Sequence, residues 1–122
     1  MPMREIFELS FIFVKKEFIL HTKINMETFV LSRSPREEKK WRIQVGTRNI
    51  DFGAEGYSDF LMHQNETRRQ AYISRHASRE DWNKSGIETR GFWSRWLLWN
   101  KPSLEESIRD IEKRFNIKIQ KK

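Results

Sequence analysis

Hydrophobic positions are densest in the segment GFWSRWLLWNKPSL, residues 91–104, which holds three of the five tryptophans in the chain. Phe92, Trp96 and Trp99 follow the i, i+4, i+7 spacing that places side chains on one face of a helix. Other apolar side chains fall about 100° further round, so more than one face is hydrophobic. The pattern therefore predicts a largely buried helix over residues 91–100.

A proline separates this helix from a second one. Pro102 lacks a backbone N–H and disfavours the helical conformation in the residue before it, so the first helix should end near Asn100. Ser103 and Glu106 then match a capping box, which starts a new helix at once. The clean apolar stripe of that helix consists of Leu104, Ile108, Ile111 and Phe115. We expect two helices joined at a proline corner, followed by a short edge strand at 117–119.

The part before residue 57 is typical of β-structure. Apolar side chains alternate with polar ones at Trp41, Ile43 and Val45, and again at Ile50 and Phe52. Gly46-Thr47 between the two runs is a turn signal, so we predict an antiparallel hairpin at about 40–52. Thr28–Leu31 is a further short run rich in β-formers.

Between the hairpin and the tryptophan-rich segment, Asn65 is a suitable N-cap for a helix over about 66–76. The predicted fold class is α+β: a small antiparallel sheet followed by three to four helices, in a single compact domain over residues 26–122. Residues 1–25 have a different composition. They are interpreted as an extension of the reading frame outside the domain, with a membrane-surface helix or a strand pair of the domain as the alternatives.

Composition limits the function classes. The 122 residues include 24 Lys and Arg against 17 Asp and Glu, a formal net charge of +7, and contain no cysteine. Disulfides and cysteine-based zinc sites are thereby excluded. No apolar run is longer than residues 11–14, a run that is too short for a membrane span and unconvincing as a secretory signal. We therefore expect an intracellular protein that is not secreted.

Several blocks resemble a known family. They are FGAEGYSDF, the pattern H-Q-N-E-x-R-R-x-x-Y-I-x-R-H-x-x-R-E-D-W, and SRWLLWNKPSLEESI, and the resemblance around them covers about 41–119. This part of the chain resembles small basic proteins of nucleocytoplasmic large DNA viruses whose function is uncharacterised. The resemblance implies a viral origin, with a role in the infected cell or the virion, and it supplies no catalytic residues. Residues 1–25 lie outside it.

Candidate catalytic groups are sparse. The candidate metal ligands are His63 and His76, with Asp59 and Glu80 near them in sequence. No HExxH motif accompanies them. No G-x-S-x-G elbow surrounds any serine. The strands offer a single acid, Asp51, which is too few for a nuclease. We therefore expect neither an enzyme nor a bound metal or cofactor.

The basic residues give the stronger hypothesis. Arginine is a planar donor fork that stays charged and therefore suits phosphate. The predicted nucleic-acid-binding residues are Arg68, Arg69, Arg75, Arg79, Arg90, Arg95 and Lys101. They indicate a non-enzymatic protein that binds or packages DNA or RNA. The alternative is a structural or interaction protein, with acidic viral partners, whose tryptophans are core and whose charge only solvates its surface.

Overall fold

A computed structural model describes residues 27–122, and this part of the chain is α+β, as predicted. The strands are β1 (Thr28–Arg33), β2 (Lys39–Val45), β3 (Arg48–Ala54) and β4 (Lys118–Lys121). The helices are α1 (Phe60–His63), α2 (Glu66–His76), α3 (Arg90–Trp93) and α4 (Leu104–Phe115), with a 3-10 turn at Lys84–Gly86 and a π-helix at Ser94–Leu98. Residues 1–25, predicted to be an extension, lie outside the described residues.

The four strands form one sheet in the order β3-β2-β1-β4. β2 pairs antiparallel with both β1 and β3, and Gly46 at φ 58° makes the hairpin turn between β2 and β3. β4 pairs parallel with β1, with Phe29 opposite Ile119. The prediction of a purely antiparallel sheet was therefore wrong: the sheet is mixed. The reason is long-range, since α4 returns the chain alongside β1 in the same direction.

One face of the sheet carries the core. Phe29, Ile43 and Phe52 are fully buried there, beneath helical side chains that include Trp93 and Ile111. Phe29 and Trp93 lie with their ring centroids 5.5 Å apart. A few large side chains thus supply much of the buried apolar area, which is how a polar chain of this size builds a core.

The tryptophan-rich helix begins at Thr89, whose hydroxyl accepts the N–H of Phe92. After Trp93 it widens into the π-helix, and the N–H of Trp99 bonds to the carbonyl of Ser94, five residues earlier. The wider turn changes the spacing of the indoles. The expectation that Trp99 shares a face with Trp96 was wrong, because Trp96 packs on Phe115 while Trp99 stacks on α2.

Pro102 lies between the π-helix and α4. The Ser103 hydroxyl caps α4 by accepting the N–H of Glu106, and it donates to the Glu106 carboxylate. At the other end, Asn116 adopts the left-handed conformation (φ 54°) and closes the helix. The chain then enters β4 at the sheet edge.

Candidate functional site

An open groove of about 630 Å³ lies between the hairpin and the helices. Lys40 and Gly53 line it from the sheet, Arg68 and Arg75 from α2, and Arg90 from the start of α3. The volume is in the range of sites that bind small ligands or a short segment of polymer. Charged side chains therefore converge on this groove from three separate elements.

The α2 wall follows directly from helical geometry. Arg68, Tyr72 and Arg75 are spaced i, i+4, i+7, so they lie on one face of the helix. Both arginines are exposed, and neither forms an ion pair with any carboxylate in residues 27–122. Within the described residues, the Arg68 guanidinium donates one hydrogen bond, to the Ser58 hydroxyl at 3.0 Å. The two guanidinium groups keep most of their donors for a ligand.

The opposite wall adds one cation and one anion. Arg90 is exposed and, like the arginines of α2, has no ion-pair partner in the described chain. The Glu80 carboxylate lies directly against Gly91, where a Cβ would collide with it. Three arginines thus face one carboxylate that has no cationic partner within the described part, and the field in the groove favours an anion.

At the hairpin end, Lys40 and Asp59 form an ion pair with both side chains about nine-tenths buried and 2.7 Å between Nζ and Oδ2. Lys40 Nζ also donates to the carbonyl of Tyr57. Asp59 additionally caps α1 by accepting the N–H of Met62. These two charges are occupied by each other and by the backbone, so they fix the loop and leave the net charge of the groove unchanged.

Aromatic rings form the floor of the groove. Tyr72 stacks on Trp99 with centroids 4.4 Å apart and on His76 at 4.3 Å. Tyr72 is only 8% exposed, and burial raises the pKa of its phenol to about 12. The ring faces of Tyr72 are therefore covered by protein and are closed to a stacking ligand.

The structure brings together three of the seven predicted binding residues, namely Arg68, Arg75 and Arg90, in this groove. Arg79 is exposed but does not line it, and Lys101 lies in the turn before α4. Arg69 does not line the groove either, and it donates to the Asn100 carbonyl and the Glu66 carboxylate. The seven residues form no single surface, because α2 and the loops point them in different directions.

Arg95, the remaining predicted residue, lies among indole rings. Its guanidinium carbon is 4.4 Å from the Trp96 ring centroid and 5.4 Å from that of Trp82, and Nη1 donates to the Trp99 carbonyl. Burial, with the nearby charges of Arg69 and Arg114, lowers the pKa of Arg95 to about 10. The Arg95 guanidinium therefore packs within the fold, and Arg95 does not line the groove.

Sequence reasoning missed Tyr57. The residue patterns gave this tyrosine no functional role, yet its side chain is 73% exposed and lines the groove. Gly56 before it was the available sequence signal, since glycine marks turns and turns lie at the surface; in the structure Gly56 has φ 86°.

Several of the groups considered for catalysis make contacts within the fold. His63 accepts the N–H of Asn65 on Nδ1, and burial with the Arg68 charge lowers its pKa. In residues 27–122 no group of three or more His, Asp or Glu side chains is placed to hold a metal ion. Asp51 forms an ion pair with Arg42, whose hydrogen bond lowers the pKa of that carboxyl.

Comparison with known proteins gives one family. A group described as "Family of unknown function (DUF5754)" matches residues 29–76, which are about two-fifths of the chain. The match covers β1 to α2, including Tyr57, Arg68 and Arg75, and stops before Arg90. No curated protein matches, and no solved structure matches. Among the residues that the structure describes, no helix is long and apolar enough to cross a membrane.

Proposed function

We propose that this protein is a non-enzymatic nucleic-acid-binding accessory and that the groove is its contact surface. The observation that carries the proposal is the convergence of Arg68, Arg75 and Arg90 on one groove without carboxylate partners in the described chain. Guanidinium groups bind phosphate through paired N–H donors, and nucleic acid presents phosphates at regular spacing. Contacts of this kind position the strand without reading its bases.

The charge distribution supports the same function. Residues 26–122 hold 20 of the 24 basic residues and 14 of the 17 acidic ones, so the excess positive charge lies mainly on this part of the chain. A positive surface raises the rate of encounter with a polyanion. The resemblance to proteins of large DNA viruses leads us to propose that the nucleic acid is met in an infected cell or during packaging.

The test is a salt-dependent binding titration of the full chain with fluorescently labelled duplex DNA, single-stranded DNA and RNA. With three phosphate contacts, log K should fall against log salt with a slope near −2.7 for duplex DNA. Arg68→Ala with Arg75→Ala should reduce the slope by about two. It should also weaken different sequences equally, because phosphate carries no base information.

The matched control is Arg109→Ala with Arg79→Ala, which removes the same charge from two exposed arginines that do not line the groove. We expect the control to change the slope by much less than the groove pair. No binding to any of the three nucleic acids at about 50 mM salt would overturn the proposal. The structural or interaction protein with acidic partners would then be the better hypothesis.

A further inference from the structure

Besides His76, the groove is lined by three Tyr or Trp side chains, and these three differ in what they offer a ligand. Tyr72 is buried between other rings, and Trp99 is half-buried with one face stacked on Tyr72. Tyr57 alone among the three is largely exposed, at 73%. The aromatic group available for stacking is therefore Tyr57, at the rim of the groove, and none of the tryptophans in the described part takes that place.

The backbone that carries Tyr57 is held in place although its side chain is exposed. The buried Lys40 donates to the Tyr57 carbonyl and forms the ion pair with Asp59, two residues further along. The Tyr57 N–H bonds to the Ala54 carbonyl at 3.4 Å. A ring on a fixed backbone has only its own two torsions to order, so binding to it has a small entropic cost.

A cation lines the same groove as this ring. Arg68 donates to the hydroxyl of Ser58, the residue that follows Tyr57. An exposed ring and a guanidinium in one groove can together hold a base and a phosphate of the same strand. In a duplex the base faces are covered by neighbouring base pairs, so a rim tyrosine reaches them only after a base is unstacked.

We infer that the groove binds single-stranded nucleic acid in preference to duplex, with a base stacked on Tyr57 and phosphates on Arg68 and Arg75. This inference rests on the proposed function and adds to it the strandedness of the ligand and the residue that selects it. Stacking on an aromatic ring tolerates any base, so the selection is for strandedness and not for sequence.

The experiment compares four probes of equal length: single-stranded DNA, single-stranded RNA, duplex DNA and an abasic single strand that keeps its phosphates. Wild-type protein should bind the two natural single strands more tightly than the duplex at the same salt. Tyr57→Ala should weaken binding to them by about 5–50-fold, because base stacking is lost. It should leave the salt slope and the affinity for the abasic strand unchanged, while Tyr57→Phe should bind as the wild type does.

Failure of this inference is distinguishable from failure of the proposed function. If Tyr57→Ala binds all four probes as the wild type does while Arg68→Ala with Arg75→Ala loses affinity, the groove binds phosphate but Tyr57 does not select single strands. An equal loss on the abasic strand would also overturn stacking. If no probe binds the wild type, the proposed function itself fails. Since Tyr57 is exposed, its variants should fold, which a far-UV spectrum and a melting curve of each variant will check.

Discussion

Arginine lies beside aromatic rings in two regions of this molecule, and the two arrangements differ. In the first region, which we call the packed side, the Arg95 guanidinium lies over Trp96 and Trp82 and donates to the Trp99 carbonyl. In the groove, Arg68 and Arg75 flank the buried Tyr72 but extend past it into solvent. In the first arrangement the guanidinium contacts other groups of the fold, whereas in the second it is exposed and can bind a ligand.

The difference shows that neighbouring arginine and aromatic residues are ambiguous in a sequence. Arg95 lies between Trp93 and Trp96 in the chain, and the sequence placed it among the candidate nucleic-acid-binding residues. Arg68 has no such neighbours. What separates them is the element that carries each one: Arg95 is on the buried π-helix, and Arg68 is on the outer face of α2. Burial decides whether a guanidinium is a packing group or a binding group.

The largest effect is expected from the packed side. Trp96→Ala should lower the free energy of unfolding by about 3–5 kcal/mol, because it empties a buried site and removes the hydrogen bond from the indole to the Trp82 carbonyl. Chemical denaturation of the full chain measures this. Tyr57→Ala in the groove is the control, and we expect it to change the free energy of unfolding by less than about 0.5 kcal/mol. Equal effects at the two sites would remove the contrast between the regions.

An intermediate effect should come from Arg95. Arg95→Ala should lower the free energy of unfolding by about 1–3 kcal/mol, because the side-chain stem and the cation–π contacts with Trp96 and Trp82 are lost. The salt slope of nucleic-acid binding should stay as in the wild type when it is measured under conditions where the variant is folded. A slope reduced by a full unit with unchanged stability would place Arg95 on a phosphate and contradict its assignment to the fold.

The smallest effect sharpens the description of the groove. Glu80→Gln removes the one groove carboxylate without a cationic partner in the described chain, and it should strengthen nucleic-acid binding by about 2–5-fold at low salt. Glu37→Gln is the matched control. It removes the same charge, and Glu37 is exposed in the turn between β1 and β2. If both variants gain affinity equally, the effect reflects net charge alone. Weaker binding by Glu80→Gln would mean that Glu80 itself contacts the ligand.

Local patterns in the chain were sufficient for much of the fold. The alternation at Trp41, Ile43 and Val45 predicted the hairpin strand, because side chains of a strand alternate between its two faces. The spacing from Leu104 to Phe115 predicted α4, whose period is fixed by helix geometry. Capping by Asn65 and Ser103 also follows from sequence, since each hydroxyl or amide acts on residues within the next turn.

The candidate site was predicted only in part. The sequence indicated which arginines are suited to phosphate, but Arg68 and Arg90 are 22 positions apart and belong to different elements. The sequence also did not identify Tyr57: Gly56 indicates a turn there, but the place of the ring at the groove depends on how Lys40 and Asp59 hold the loop around it. Such properties arise from contacts between distant segments, and a local pattern contains no information about them.

The sequence by itself therefore determined the positive charge, the absence of cysteine chemistry, the hairpin, α2 and α4, since each depends on composition or on neighbours within a few residues. Tertiary structure decided the parallel pairing of β4 with β1 and the different roles of the arginines. It also decided the wider turn at Ser94–Leu98, which directs Trp99 to the groove floor and Trp96 to the core. These outcomes depend on which buried surfaces fit one another, and packing between segments far apart in the chain selects them.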